Sequence, residues 1–67
     1  MFTTIEIATA ANDYYSRMES ARKIYNSLVE SGRLNEMGIG GRTLGDYAMA
    51  EYKQMESLFN YWTSKLN

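Results

Sequence analysis

Sixty-seven residues make one domain at most, and a chain that short buries only about 60% of the surface its unfolded form exposes. It has no cysteine and no histidine, which removes disulfides, thiolate metal sites, the commonest metal ligand and the commonest general base. Small domains otherwise make up their shortfall by helix packing or by oligomerisation, and both are matters of protein–protein contact. The net charge is −1, from seven basic and eight acidic residues. The mildly basic stretch through Arg17, Arg22, Lys23, Arg33 and Arg42 is interrupted by Glu19, Glu30 and Glu36, so the basic stripe of a nucleic-acid binder is missing.

Proline is absent and nine residues are aromatic, a composition that suits long unbroken helices and does not suit disorder. Met1-Phe2-Thr3-Thr4 lacks the basic region and apolar run of a signal peptide. No window approaches the 18 or so apolar residues of a membrane span. The expectation is a soluble product made in the cytoplasm, with no membrane contact.

The first element predicted is a helix over residues 4–31. Ile7, Ala11, Tyr14, Met18, Ala21, Tyr25 and Leu28 recur at alternating steps of four and three, the seam of a helix that packs on another helix. Tyr15 and Ile24 widen that stripe. Thr3 and Glu6 can form a capping box, and Gly32 follows the last periodic residue as a natural C-cap. Asp13 with Arg17, and Glu19 with Lys23, are favourable pairs four apart on the outer face. Ile5, Ile7 and Thr9 are β-branched, which leaves an extended or frayed start open.

Residues 32–45 hold all five glycines, too many for a helix interior. Two forms are open for this segment. One is a plain loop between antiparallel helices. The other is a short β-hairpin that turns at Gly40-Gly41, a pair suited to two-residue hairpin turns, with Met37, Ile39 and Leu44 on one side. A phosphate-binding loop at Gly38–Thr43 does not fit, because no buried strand precedes it and no Gly-Lys-Ser/Thr opens a helix.

A second helix is predicted over residues 46–66, on the series Ala48, Tyr52, Met55, Phe59, Trp62 and Leu66, with Leu58 widening the stripe. Asp46 is the preferred N-cap and Thr43 the alternative; Lys65 lies in the last turn, where the helix dipole favours a cation. The fold expected is therefore mostly α, or a small α+β form: a single domain, residues 1–67, of two antiparallel helices joined by a Gly-rich loop or short hairpin.

Chemistry finds little to work with here. Glu51 and Glu56 are five apart and share no helical face, and no serine–base or cysteine arrangement completes a nucleophile site. The expectation is no enzyme, and no catalytic, cofactor-binding or metal-binding residue. The tyrosines carry more. Tyr14, Tyr25 and Tyr52 fall on the seams, whereas Tyr15, Tyr47 and Tyr61 fall beside them. Tyrosine and tryptophan bury large area with few torsions and are enriched at interface hot spots. Tyr15, Tyr47, Tyr61 and Trp62 are therefore the candidate contact surface, with ordinary packing as the competing explanation. Arg42 follows the glycine turn and would project from a tip toward a partner's carboxylate or carbonyl oxygens, or simply into solvent.

The stretch Ala21–Arg33, then Gly38-Ile39-Gly40-Gly41-Arg42-Thr43-Leu44, then a helix ending near Tyr61-Trp62, resembles the head-completion (gpW-like) proteins of tailed phages. The match spans about residues 21 to 66. The resemblance implies a helix, a short Gly-Gly-Arg-Thr hairpin and a second helix, assembled as a ring between the portal and the tail adaptors. The function expected on that basis is a virion structural protein, a head-completion or head–tail connector component in several copies. Its partners would be portal, adaptor or tail proteins and its own copies, with no specific nucleic acid. The alternative from another class is a small soluble phage-encoded regulator or inhibitor that binds one host or viral protein.

Overall fold

The computed structural model describes residues 1–66; Asn67, included in the expected single domain, lies outside the described residues. Two helices dominate, α1 over Thr4–Ser31 and α2 over Leu44–Ser64, packed along each other with a Gly-rich link between. The mostly-α expectation is met, and α1 has the predicted bounds.

The start of α1 is pinned by its capping box. The Thr3 hydroxyl accepts from Glu6 N at 3.1 Å, and the Glu6 carboxylate accepts from Thr3 N at 3.1 Å. This reciprocal cap holds the β-branched residues Ile5, Ile7 and Thr9 in the helix, so the extended start left open by the sequence is not adopted. At the other end Arg33 N donates to Leu28 O (2.9 Å) and Gly32 N to Val29 O (3.2 Å). Those two bonds make a Schellman cap, which requires the left-handed conformation that Gly32 takes at φ 71°.

Helix α2 begins two residues earlier than predicted and ends two earlier. The cap is Thr43, whose hydroxyl accepts from Asp46 N at 3.1 Å. Asp46 then sits in the first turn, where its charge still suits the helix dipole. Lys65 is the C-cap residue and Leu66 lies outside the helix. The shift also takes Gly45 out of the link and into the first turn of α2.

The link makes no strand among the described residues. Its one ladder element is an antiparallel bridge between Met37 and Thr43, with Gly38 N donating to Arg42 O (2.7 Å) and Leu44 N to Glu36 O (2.8 Å). Between them Ile39–Gly41 forms a single 3₁₀ turn, with φ at 74° for both Gly40 and Gly41. The ladder goes no further because Thr43 is already committed as a helix cap on one side. On the other side Glu36 N turns back to Arg33 O (3.1 Å).

The core is the expected seam, but a thin one. Ile7, Ala11, Met18 and Ala21 of α1 and Ala48 and Met55 of α2 are the buried apolar side chains. Three of these six are alanines, which contribute little apolar area to the stabilisation. Tyr14, Tyr25, Leu28, Tyr52, Leu58, Phe59 and Trp62 flank the seam half-buried. Tyr15 and Ile24, expected to widen the stripe, are exposed instead. The predicted pair of Glu19 with Lys23 is replaced by Arg22, whose Nη2 stands 2.7 Å from the Glu19 carboxylate, whereas Arg17 pairs with Asp13 at 3.3 Å as expected.

The resulting body measures 43 × 23 × 14 Å, with a radius of gyration of 14.6 Å. A compact domain of this length would have a radius near 11 Å. The shape follows from the topology: two helices side by side form one layer, and the broad faces of that layer have nothing packed on them.

Candidate protein-binding surface

The five residues singled out from sequence do not form one patch. Arg42 and Tyr47 lie at the link end and Tyr61 and Trp62 at the terminal end, because positions 47 and 61 are about 21 Å apart along a helix that rises 1.5 Å per residue, and Tyr15 lies near the middle of α1.

At the link end, the Thr43 cap sets the phase of α2 so that Tyr47 faces back over the turn. Its hydroxyl donates to the carbonyl oxygen of Ile39, and the Arg42 guanidinium carbon lies 5.0 Å from its ring centroid. A cation over an aromatic face at that distance is attracted by the ring quadrupole. Arg42 has no carboxylate partner among the described residues. The tip beyond it presents Ile39, 86% exposed, and Met37, 62% exposed. Nearby, Arg33 donates to both carboxylate oxygens of Glu36, at 2.7 and 2.8 Å. That forked hydrogen bond holds the Glu36 carboxyl below its ordinary range and raises the Arg33 guanidinium further.

At the terminal end, the Phe2 and Trp62 rings meet edge to face at 5.0 Å, and Tyr61 meets Trp62 at 5.6 Å. The Lys65 ammonium stands 4.5 Å from the Tyr61 ring centroid. Tyr15 packs on Phe59 at 5.5 Å and lines neither of the grooves described next. Tyr15, Tyr47 and Tyr61 are all exposed, and Trp62 is half-buried.

Two grooves connect these ends to the body. One, of about 420 Å³, is walled by Ala21, Ile24 and Leu28 of α1 and by Leu44, Tyr47 and Ala48 of α2, with Glu51 as its charged member. It continues through Leu44 and Tyr47 onto Gly38 and Ile39. The other, of about 530 Å³, lies between Phe2, Ile5, Thr9, Ala10 and Trp62, rimmed by Glu6 and Asp13. The apolar walls Ile24, Leu28, Leu44, Ile5 and Phe2 were not singled out as contact residues from the sequence. A signal for two of them is present: Ile24 and Leu28 follow the seam residue Ala21 at steps of three and four, on the edge of the core stripe.

Among the described residues no polar or charged side chain is buried, so the surface offers apolar grooves and shallow aromatic platforms with charged groups at their rims. Such a surface fits apolar side chains of another chain. No described helix is long and apolar enough to cross a membrane. No family model matches the chain, and neither the curated proteins nor the solved structures hold a match to it.

Proposed function

We propose that this chain is a non-enzymatic assembly protein of a phage particle, a head-completion or head–tail connector component that works in several copies beside portal, adaptor or tail proteins. In this reading it is made in the host cytoplasm and ends in the virion. The observation that carries the docking part is the unfinished core: six small or medium apolar residues buried, and eleven large apolar side chains exposed. A chain that leaves so much apolar surface uncovered is built to be covered by another.

The phage assignment rests on the resemblance around Gly40-Gly41-Arg42-Thr43 and on the order helix, Gly-rich link, helix. The Met37–Thr43 bridge supports treating the link as the seed of a short hairpin. The tip, with Arg42 and Tyr47, would meet one neighbour, and the exposed tyrosines Tyr15 and Tyr61 would meet another.

The test is mass spectrometry of purified particles from the phage that encodes the chain, with cross-linking to name its neighbours. Recovery in stoichiometric amounts, cross-linked to portal or tail components, is the expected result. Complete particles that lack the chain, together with a one-to-one complex with a soluble protein, would favour the small regulator instead.

A further inference from the structure

We propose that two copies of this chain pair face to face and antiparallel into a four-helix unit. The Phe2–Ile5–Trp62 end of each copy covers the Ile24–Leu28–Leu44–Tyr47 groove of the other. The proposal stands on the surface of the chain and does not depend on the phage assignment.

The exposed area exceeds that of a typical monomer. The chain exposes 4932 Å², whereas a folded monomer of this mass exposes about 4300 Å² by the usual scaling. The excess, about 600 Å², approaches the ~800 Å² per partner of a standard stable interface. The topology agrees: two helices side by side make one layer, and a stable domain needs a second layer on its apolar face.

Both grooves open on the same side of α1. Glu6, Ala10 and Asp13 line one, Ala21, Ile24 and Leu28 line the other, and steps of three or four residues through Arg17 join them along one side of the helix. A two-fold axis across the helices therefore brings the terminal end of one copy onto the link end of the other, twice. The projecting side chains have somewhere to go: Ile5 is 79% exposed at one end and Ile24 57% exposed at the other. The contact is self-complementary and closes at two copies.

Charge favours the antiparallel arrangement through one pair, Arg42 with Glu6: Asp13 is already bound to Arg17 at 3.3 Å, and Glu51 of the link-end groove meets acidic groups in either orientation. The terminal groove is rimmed by Glu6 and Asp13, and the link end carries Arg42, which has no carboxylate partner among the described residues. Antiparallel pairing sets Arg42 toward Glu6 of the other copy. Parallel pairing would set Glu6 and Asp13 against their own duplicates. A net charge of −1 opposes self-association only weakly. The Tyr15–Phe59 contact lies outside both grooves and stays available for further neighbours.

The experiment is sedimentation equilibrium of the purified chain from low to high micromolar concentration, with far-ultraviolet circular dichroism on each variant. Wild type is expected to move from monomer to dimer and stop there. Ile24→Glu and Ile5→Lys, one from each end, should each weaken the dimer by about tenfold or more. Neither residue is in the monomer's core, so helicity at the same concentration should persist. Arg42→Glu should weaken the dimer, and so should Glu6→Gln, which removes the charge and keeps the capping box with Thr3. A wild-type chain that stays monomeric throughout, or grows past two copies, overturns the proposal. So does a Glu6→Gln variant that dimerises as tightly as wild type.

Discussion

Leu34 closes onto the backbone of Gly45: the Gly45 amide donates to the Leu34 carbonyl at 3.0 Å, and a Cβ at position 45 would stand 2.8 Å from Leu34 Cδ2 and 3.0 Å from that same carbonyl oxygen. The contact ties the link to the first turn of α2. It explains why a glycine occupies the first turn of α2 although alanine is the better helix former. Gly45→Ala should therefore destabilise the chain despite its better helix propensity, by about 1–3 kcal/mol, the usual cost of overpacking. Urea unfolding followed by circular dichroism measures it, and a variant as stable as wild type would show that Leu34 can move aside.

Thr43 and Asp46 were rivals for the cap of α2, and the geometry assigns the cap to Thr43. Thr43→Ala should cost about 1 kcal/mol, the typical loss of a capping hydroxyl. Asp46→Ala should cost less, because it loses only a charge near the helix dipole, worth about 0.3–1 kcal/mol. Chemical denaturation of the two variants side by side decides it: the reverse order of stabilities would mean that α2 starts at Asp46 in solution.

Tyr47 ties α2 to two points of the link, since its hydroxyl reaches Ile39 O and its ring lies under Arg42. Tyr47→Phe keeps the ring and removes one hydrogen bond, so a loss of about 0.5–1.5 kcal/mol is expected. Amide hydrogen exchange should rise in the link with little change in the middle of α1. Arg42→Ala should leave stability nearly unchanged, since an exposed cation–π contact contributes only about 0.5–1 kcal/mol.

Acid should loosen the start of the link. Glu36 is held below its ordinary range by the forked hydrogen bond from Arg33, so it binds protons less readily folded than unfolded. Its contribution is present above the unfolded-state pKa of about 4.3 and fades as pH falls through the lower folded value. Both partners are half exposed, so the effect is small and screened by salt. Comparing wild type with Glu36→Gln by hydrogen exchange near Arg33 and Glu36 isolates it: the two should differ at neutral pH and converge in strong acid.

The helices were legible in the order of residues because their causes are local. Seam spacing through Ile7, Ala11, Met18 and Ala21, a Thr3–Glu6 box and a terminal Gly32 act within a few positions of one another. The candidate surface was legible only in part. Tyr47 and Arg42 do meet, but Tyr15 and Tyr61 lie elsewhere. The apolar walls Ile24 and Leu44 resembled ordinary seam or strand residues, because a one-dimensional stripe does not say which side the other helix leaves uncovered.

Sequence by itself determined that this is a two-helix chain with a glycine-rich bend and no thiol or imidazole, since periodicity, caps and composition are properties of neighbours along the chain. Only the tertiary structure decided where α2 begins, how little of the link pairs as β, and which apolar side chains stay in water. Those outcomes depend on contacts between residues far apart in order, such as Leu34 with Gly45 and Phe2 with Trp62, and on the plain geometry that two helices make one layer.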